Sequence, residues 1–319
     1  MEDYEISNEF IHDLVSVIIP THNRADIICE TIDSIFAQTY AKIELIVVDD
    51  HSTDETEEII KRKQVESKLY DFRYIKSHRK GGCAARNIGV AHCKGEYIQF
   101  FDDDDIMFQN HIEKKITAIV GYDFVACNFT YFEGLINNVV GEKRIDNINH
   151  TIESHLLNSA FPAPSFLCNR KVIQSIGFWN EKSLRFQDMC YFHRLFLHDL
   201  RGVWISSFLF TVRTHSNCIS KVYSSNYIDS CMSVFEFIRK EWSDLGTEKK
   251  SLERIITLSE LVLCIQFLQR GYIICFLKSV ARTICEYPVQ VAVCLKYLCY
   301  KYYNRLKGTQ VDIASYFNI

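Results

Sequence analysis

Nearly continuous runs of apolar residues alternate with amphipathic segments over the first third of the chain. Such runs predict strands that are buried on both faces of a sheet, because a strand with one face in water would alternate apolar and polar residues. The predicted strands are VSVIIP (15–20), IELIVVDD (43–50), FRYIK (72–76) and EYIQFF (96–101). Repeated strand–helix–strand units predict an α/β fold with a Rossmann-like, mostly parallel sheet flanked by helices.

Three helices are expected between these strands. ADIICETIDSIFAQ (25–38) and CAARNIGVAHC (83–93) have apolar residues at helical spacing. The third helix follows HSTDETEEII (51–60), where Ser52 or Thr53 is suited to cap it and the glutamates favour its first turn.

Beyond residue 123 the alternation weakens and the predicted elements become mixed. Two further strands are expected, in DFVACNFTYF (123–132) and VWISSFLFTVRTH (203–215). Between them the pattern predicts a turn or hairpin, a proline-constrained loop and a helix, in NNVVGEKR (137–144), FPAPSFLCNR (161–170) and DMCYFHRLFLHDL (188–200). From about residue 225 the pattern becomes one of long helices.

Composition narrows the class of protein. The 319-residue chain is 48% hydrophobic and has a formal net charge of −4, which is typical of a globular protein and argues against a nucleic-acid partner. The N-terminus MEDYEISNEF has no apolar signal region, and no segment has the about 18 uninterrupted apolar residues of a membrane-spanning helix. The thirteen cysteines have no CxxC pair or disulfide-framework spacing. We therefore expect a cytoplasmic protein with free thiols.

Four consecutive aspartates follow the fourth predicted strand, in IQFFDDDDIMF (98–108). Carboxylates this close repel one another, so solvent, a divalent cation or a cation with an anionic substrate must compensate them. Ligands of parallel sheets bind beyond the carboxyl ends of the strands, which places this aspartate tetrad (102–105) at one edge with residues 20–24 and 49–52. Together with Asp49 and Asp50 the tetrad suits a nucleotide diphosphate bridged by a metal, although the tetrad alone fits a solvated acidic loop or a calcium site equally well.

Four segments of the chain resemble, in the same order, the motifs of the inverting family 2 glycosyltransferases with the GT-A fold. They are VSVIIPTHNR, SIFAQTYAKIELIVVDDHSTDET, GGCAARNIGVAHCKGEYIQFFDDDD and FQDMCYFHRL. The resemblance implies a GT-A catalytic domain over residues 1–224, with its nucleotide-sugar half at about 14–122 and its acceptor half at about 123–224. The remaining residues, 225–319, are expected to form a helical C-terminal region.

The resemblance also implies roles for single residues of the first half. Those implied to contact the nucleotide-sugar are Pro20, Thr21, Asn23, Arg24, Arg86 and Asn87. Asp50 is implied to accept a hydrogen bond from the base, most often uracil. A proline-started turn with a cap at Asn23 would also account for the first loop, and a surface position would account for Arg86.

The family's D-x-D pattern aligns with Asp102, Asp103 and Asp104, followed by Asp105. The resemblance then implies that Asp104 binds Mn²⁺ or Mg²⁺ directly and that Asp102 faces both the ribose and the metal. Asp103 joins the donor-binding set, although the family usually has a small residue there. The register is therefore uncertain by one residue.

The family places its general base in a Glu-Asp pair that opens a helix, and this chain has Gln187 and Asp188 at that position. Asp188 is therefore implied to deprotonate the acceptor hydroxyl, while a first-turn carboxylate is the alternative. The segment TVRTHSNCIS (211–220) resembles the family's closing segment. It implies that Arg213 neutralises the diphosphate and that His215 binds the metal, with a surface turn as the alternative.

The C-terminal helical pattern concentrates basic residues with interleaved tyrosines. The basic residues are Arg270, Lys278, Arg282, Lys296, Lys301, Arg305 and Lys307, and the tyrosines are Tyr297, Tyr300, Tyr302 and Tyr303. Cationic, aromatic helices of this kind suit an anionic membrane surface, here the cytoplasmic face of an inner membrane. A bundle that packs on the catalytic domain or on a second copy of the chain, as in a homo-oligomer, fits the pattern equally well.

The resemblance implies transfer of glucose, galactose or GlcNAc from a UDP-sugar to a glycan acceptor. By analogy the acceptor is polyprenyl-diphosphate-linked GlcNAc or GalNAc in the synthesis of O-antigen or another surface polysaccharide. A sugar nucleotidyltransferase is the alternative enzyme, but PTHNRAD lacks the glycine-rich loop it needs after the first strand, and a phosphatase would have D-x-D there. A non-catalytic metal- or sugar-binding module is a further alternative, because Gln187 places an amide where the family has the first acid of its Glu-Asp pair.

Overall fold

The computed structural model describes residues 4–134, 136, 138–143, 162–198, 200–214, 225–244 and 250–269, and single positions between 277 and 296. The chain divides into two compact units. The first comprises residues 1–150 and 161–222, and the second comprises residues 151–160 and 223–319.

Nine strands in the described part of the first unit form one sheet. They are β1 (Ile11–Thr21), β2 (Ile43–Asp49), β3 (Asp71–Lys76), β4 (Gly95–Phe100), β5 (Ile106–Met107), β6 (Phe124–Phe132), β7 (Val139–Lys143), β8 (Phe166–Asn169) and β9 (Gly202–Arg213). Their order is β3-β2-β1-β4-β8-β6-β9-β5, and β7 pairs with β6. The first four strands and the β6–β9 pair are parallel. The remaining pairs, β4–β8, β6–β8, β5–β9 and β6–β7, are antiparallel.

Helices cover the strands and connect them. Those of the first unit are α1 (Ile28–Phe36), α2 (Thr56–Glu66), α3 (Gly82–His92), α4 (His111–Ala118), α5 (Arg170–Ile176) and α6 (Gln187–Phe192). Two short 3₁₀ helices, Ala163–Ser165 and His193–Phe196, precede β8 and follow α6. All seven residues of β2 are buried, as the continuous apolar pattern predicts.

Gly89 brings α3 directly onto β1. A Cβ atom at Gly89 would lie 2.3 Å from Cγ2 of Ile18, so only glycine allows this approach. Because the helix packs this closely, Arg86 and Asn87 on the preceding turn are buried beside the sheet. Close packing of α3 thus decides where two of the expected site residues lie.

The predicted cap of α2 at Ser52 or Thr53 is wrong. The helix begins at Thr56, whose main-chain N–H donates to Asp54 Oδ1 (3.1 Å). Ser52 Oγ instead accepts from Asn23 N (2.9 Å), and Thr53 N donates to Asn23 Oδ1 (2.8 Å). Ser52 and Thr53 therefore bond to the loop after β1, and neither side chain caps α2.

The second half of the first unit agrees in part with the predicted elements. The pairing of β6 with β7 confirms a hairpin, and the helix predicted from residue 188 is present as α6 followed by a 3₁₀ helix. The proline-constrained loop is wrong for Phe166–Asn169, which form β8 between β4 and β6. The two prolines precede this strand, so neither one interrupts its hydrogen bonding.

The described part of the second unit contains α7 (Ser225–Asp244) and α8 (Lys250–Gln269). Arg239 of α7 pairs with both carboxylate oxygens of Glu260 on α8, at 2.5 and 2.9 Å, and its guanidinium lies 4.1 Å from the ring centroid of Tyr287. Within the ranges given above, no helix is long and apolar enough to span a bilayer.

Few of the basic and aromatic C-terminal residues belong to the described part of the chain. Arg270, Lys278, Arg282, Lys301, Arg305 and Lys307 lie outside the described residues, as do the four interleaved tyrosines, and only Lys296 lies within them. The expected free thiols are confirmed for the nine cysteines that are described, seven of which are buried.

Candidate active site

The carboxyl ends of β1, β2 and β4 meet at one edge of the sheet, as the sequence predicts. Asp50 N donates to Thr21 O (2.7 Å), which joins the segments after β1 and β2. His22 N donates to Asp103 Oδ2 (3.4 Å), which joins the segment after β1 to the tetrad after β4. Three polar segments that are far apart in sequence therefore form one surface.

The loop after β1 is fixed by contacts with the loop before α2. Asn23 has a left-handed conformation (φ 52°), which asparagine adopts more readily than most residues, and its main chain and side chain both bond to that loop. Arg24 N donates to Thr56 Oγ1 (2.8 Å) at the start of α2. The Arg24 side chain is thereby directed toward the tetrad.

The four aspartates of the tetrad alternate in orientation. Asp103 and Asp105 are buried and Asp102 and Asp104 are only partly buried; the side chain of Asp102 is 31% exposed, that of Asp104 18% and that of Asp103 12%. Arg24 Nε donates to Asp103 Oδ1 (3.2 Å), and Asp105 Oδ1 accepts from Arg213 N (3.1 Å). Asp102 and Asp104 have partners too, since Arg86 Nη2 lies 2.9 Å from Asp102 Oδ1 and Arg24 Nη2 lies 3.5 Å from Asp104 Oδ2, but both of these residues are only partly buried.

Burial makes full ionisation of the tetrad unfavourable. It raises the pKa of Asp103 to about 6, aided by repulsion from Asp104 and opposed by Arg24. Burial also raises the pKa of Asp105 well above its usual range, with repulsion from Asp104 and Asp102 adding to the effect. The tetrad therefore favours any additional cation that reaches it.

Arg86 links the tetrad to the start of α6. Its Nη2 donates to Asp102 Oδ1 and its Nη1 donates to Gln187 Oε1, both at 2.9 Å. Its guanidinium carbon lies 4.7 Å from the ring centroid of Trp179. The residue is only 7% exposed, so these contacts compensate a cation that has lost most of its water.

Asp188 lies in the first turn of α6, directly after Phe186 and Gln187. Burial, together with the negative charge of Asp102, raises the pKa of Asp188 to about 7. The charge of Arg86 and a hydrogen bond from the main-chain N–H of Ala163 act in the opposite direction. A carboxyl group that gains and loses its proton near neutral pH can serve as a general base. Phe186 itself has a left-handed backbone (φ 48°).

Asn87 is placed differently from the donor contact that the resemblance implies. Its Nδ2 donates to Trp179 O (3.0 Å) and Glu181 Oε1 (3.1 Å), while its Oδ1 accepts from Trp179 N (2.8 Å). The residue is 1% exposed. Its amide therefore anchors the segment before α6 and holds Trp179 against Arg86.

The other expected residues lie around the same edge. Asp50 Oδ2 accepts from Gly81 N (2.8 Å), and Pro20 is part of β1 beside Val48. Arg213 Nε donates to Asp104 O (3.1 Å), and its Nη2 lies 2.7 Å from Glu30 Oε2. His215 lies outside the described residues.

Two contacts were not predicted. Thr31 of α1 is fully buried, and its hydroxyl bonds to the main-chain oxygens of Asp103 (3.0 Å) and Asp105 (2.9 Å), which fixes the turn of the tetrad. The sequence feature that could have indicated this contact is a threonine among the apolar positions of a helix. No sequence feature indicates that Ala163 influences the pKa of Asp188, because the group involved is a main-chain N–H.

The donor atoms at this edge fit a divalent cation that also binds phosphate. In the part of the chain that is described, no group of three or more His, Cys, Asp and Glu side chains is arranged to hold a metal ion. Mg²⁺ and Mn²⁺ at nucleotide sites need only one or two carboxylates, since phosphates and waters complete their shell. The partly exposed Asp102 and Asp104 provide that number.

Comparisons with known proteins agree with this geometry. Residues 16–177 match the family model described as "Glycosyl transferase family 2". Glycosyltransferase GlyG of Streptococcus pneumoniae serotype 4 is 32% identical over 225 residues, which are 66% of this chain and 73% of that protein. The chain spans about a fifth of the length of several other curated relatives.

Two solved structures are similar in fold. The structure of S. aureus TarS 1–349 in complex with UDP-GlcNAc aligns with a TM-score of 0.57 and 18% identity, over 79% of this chain and 80% of that one. The mannosyltransferase PcManGT from Pyrobaculum calidifontis, in complex with GDP-Man and Mn²⁺, aligns with a TM-score of 0.56 and 16% identity, over 99% of this chain and 88% of that one.

Proposed function

Because the chain belongs to glycosyl transferase family 2 and has the GT-A fold expected from its sequence, we propose that it is a metal-dependent, inverting hexosyltransferase. The donor is a UDP-sugar carrying glucose, galactose or GlcNAc, and the acceptor is a hydroxyl of a growing glycan. UDP-GlcNAc in the similar TarS structure supports a UDP-sugar over other donors, although GDP-Man in PcManGT shows that the fold also accepts guanine nucleotides.

The nucleotide-sugar binds along the edge formed by the ends of β1, β2 and β4. Asp50 accepts from the base, and the loop from Pro20 to Arg24 contacts the nucleotide. Arg24, which lies 3.2 Å from Asp103, and Arg213, which contacts the tetrad's main chain, contribute positive charge near the diphosphate. Asn87 acts indirectly, by holding Trp179 against Arg86.

Asp102 and Asp104 would hold Mn²⁺ or Mg²⁺, with His215 as a further ligand. When bound, such an ion neutralises the diphosphate and so makes the nucleotide a better leaving group. Two accessible carboxylates with two inward-facing ones beside them support this assignment. The Mn²⁺ in the PcManGT structure supports a divalent cation as the cofactor.

Asp188 acts as the general base. Its carboxylate accepts the proton of the acceptor hydroxyl while that oxygen forms a bond to the anomeric carbon of the sugar. The bond from the anomeric carbon to the diphosphate breaks on the opposite face, and its electron pair leaves with UDP. The raised pKa of Asp188, about 7, makes the carboxylate a stronger base than an ordinary aspartate while leaving it largely ionised just above neutral pH.

The observation that carries the proposal is the double contact of Arg86. The same guanidinium donates to Asp102 of the tetrad and to Gln187, the residue before Asp188. The tetrad and the residue that precedes the proposed base therefore belong to one hydrogen-bonded cluster, which supports a shared role in donor binding and acceptor activation. A non-catalytic module would have no need for a carboxyl of raised pKa at the end of that cluster.

We further propose a lipid-linked acceptor, polyprenyl-diphosphate GlcNAc or GalNAc, in the synthesis of an O-antigen or another surface polysaccharide. Residues 1–224 would carry out the transfer. Residues 225–319 would bring the enzyme to the cytoplasmic face of the inner membrane, or join two copies of the chain. The basic and aromatic C-terminal sequence supports the membrane proposal.

The test uses purified full-length protein with UDP-glucose, UDP-galactose and UDP-GlcNAc, each with a lipid-like GlcNAc-diphosphate acceptor and with Mn²⁺, Mg²⁺ or EDTA. A glycosylated product that requires the metal and disappears in Asp188→Asn is the expected result. Nuclear magnetic resonance of the product gives the anomeric configuration, and a retained configuration would overturn the inverting mechanism. Release of pyrophosphate from a sugar phosphate and UTP would point to a nucleotidyltransferase instead.

A further inference from the structure

We propose that His51 is a positioning residue for Asp50 and that it strengthens binding of the nucleobase through that carboxylate. The inference rests on the proposed function, in which Asp50 accepts a hydrogen bond from the base of the UDP-sugar. His51 follows Asp50 directly, in the loop between β2 and α2.

The His51 ring contacts the Asp50 carboxylate. His51 Nδ1 lies 3.2 Å from Asp50 Oδ1. Because a carboxylate oxygen only accepts, Nδ1 is the ring nitrogen that carries the hydrogen. The contact is partly shielded from water, since the side chains of His51 and Asp50 are 38% and 19% exposed. The imidazole thus fixes one of the two carboxylate oxygens.

The other three polar atoms of Asp50 also have partners in the protein. Its N–H donates to Thr21 O (2.7 Å), its main-chain oxygen lies 2.6 Å from His22 Nδ1, and its Oδ2 accepts from Gly81 N (2.8 Å). The main chain of Asp50 and both carboxylate oxygens are therefore held in place by the protein itself. Each carboxylate oxygen can accept two hydrogen bonds, so the contacts with His51 and Gly81 leave room for an N–H of the base. A group that is already fixed loses little freedom when the ligand binds.

The backbone conformation of His51 does not require an imidazole. It is left-handed (φ 63°), which glycine adopts without the steric cost that a Cβ atom imposes. A glycine would therefore fit this turn at least as well as a histidine. Left-handed residues other than glycine are concentrated at functional sites, and here the contact with Asp50 accounts for the side chain.

Asp13 provides a matched comparison. It also has a left-handed backbone (φ 61°), and its side chain also has a polar partner, Lys42 Nζ at 3.4 Å. It lies near the amino end of β1, whereas the candidate site lies beyond the carboxyl end of that strand. Asp13→Gly therefore introduces a glycine at a left-handed position without changing a residue of the ligand edge.

The experiment compares His51→Gly and Asp13→Gly with the wild-type chain. The readouts are the Kd of UDP with Mn²⁺ by isothermal titration calorimetry, the donor KM and kcat for UDP release, and Tm. His51→Gly is expected to raise the Kd of UDP and the donor KM by about fivefold, which corresponds to the loss of one hydrogen bond. Its kcat should stay within about twofold of wild type, because the base is bound equally in the ground state and the transition state. Asp13→Gly is expected to leave Kd, KM and kcat unchanged, and both variants should have similar Tm values.

A double mutant shows whether His51 acts through Asp50. Asp50→Ala alone is expected to raise the Kd of UDP by about tenfold or more, and the addition of His51→Gly should change that value by less than about twofold. A His51 ring that contacted the nucleotide itself would instead strengthen binding in both backgrounds. That additive result, a wild-type Kd in His51→Gly, or an equal loss in Asp13→Gly would each overturn the positioning role. If the wild-type chain does not bind UDP, or if Asp50→Ala binds it as tightly as wild type, the proposed base contact is wrong and the role of His51 falls with it.

Discussion

Arg86 Nη2 lies 2.9 Å from Asp102 Oδ1, and this ion pair is the contact through which the aspartate tetrad reaches the helix carrying Asp188. The second terminal nitrogen of the same guanidinium bonds to Gln187 Oε1. The planar group can make both bonds at once because its donors diverge in fixed directions. Arg86 therefore joins the tetrad to the residue before the proposed base, and its charge lowers the pKa of Asp188.

Arg86→Lys is expected to lower kcat by about tenfold or more, although the positive charge is kept. A lysine ammonium is a compact donor on a flexible stem, so it cannot hold Asp102 and Gln187 in the same geometry. Measurement of kcat and donor KM for UDP release tests this expectation. Arg62→Lys, at an exposed position of α2, is the control and should behave as wild type. Full activity of Arg86→Lys would show that charge alone suffices.

Gln187→Glu is expected to shift the acid limb of the kcat profile to higher pH. The new carboxylate would pair with Arg86 and add negative charge beside Asp188, and both effects raise the pKa of the base. We expect kcat to fall by about threefold near pH 7 and to recover above about pH 8.5. Gln174→Glu, on the exposed face of α5, is the matched control for an added charge. An unchanged profile would mean that Gln187 does not influence the base.

The sequence predicts that the polar segments after β1, β2 and β4 lie at one edge of the sheet, because their position depends on the strands alone. Continuous apolar runs define β1, β2 and β4, and parallel strands place the residues that follow them at one edge. The pattern of strands does not explain the extra negative charge of Asp103. Its partner is Arg24, 79 positions earlier, and no local pattern indicates which cation faces which carboxylate.

Contacts that depend on packing or on the main chain also escaped prediction. Asn87 belongs to a motif that implies a donor contact, but its amide bonds to the main chain of Trp179. Pro162 and Pro164 suggested a loop, while Ala163–Ser165 form a 3₁₀ helix in which the Pro164 carbonyl accepts from Lys115 Nζ. Main-chain donors carry no residue-specific signal.

The orientation of the tetrad predicts which aspartates bind the metal. Asp104→Ala should raise the Mn²⁺ concentration for half-maximal activity by at least about tenfold, because this side chain faces the ligand edge. Asp103→Asn should leave that concentration unchanged and lower Tm, because Asp103 is buried and accepts from both Arg24 Nε and His22 N within the loop. Titration of activity with Mn²⁺ after EDTA treatment measures both effects. The reverse result would shift the D-x-D register by one residue.

Ionisation of Asp188 predicts opposite pH dependences for activity and for stability. The base must be charged to accept a proton, so kcat/KM should rise with pH and level off above the pKa of Asp188 in the free enzyme, about 7. The same raised pKa means that the folded chain binds this proton more tightly than the unfolded chain. The stabilising contribution of Asp188 is therefore greatest in acid and is lost as the pH rises through about 7.

Asp188→Asn separates the two effects. It should lower kcat by about a thousandfold, within the range found for removal of a general base. Compared with wild type it should gain in Tm as the pH rises from about 5 to about 8, because an amide has no charge to bury. Asp33→Asn, at a half-exposed carboxylate of α1, is the control, and its Tm relative to wild type should change far less over this range. An acid limb that stays near neutral pH in the residual activity of Asp188→Asn would assign that titration to a different group.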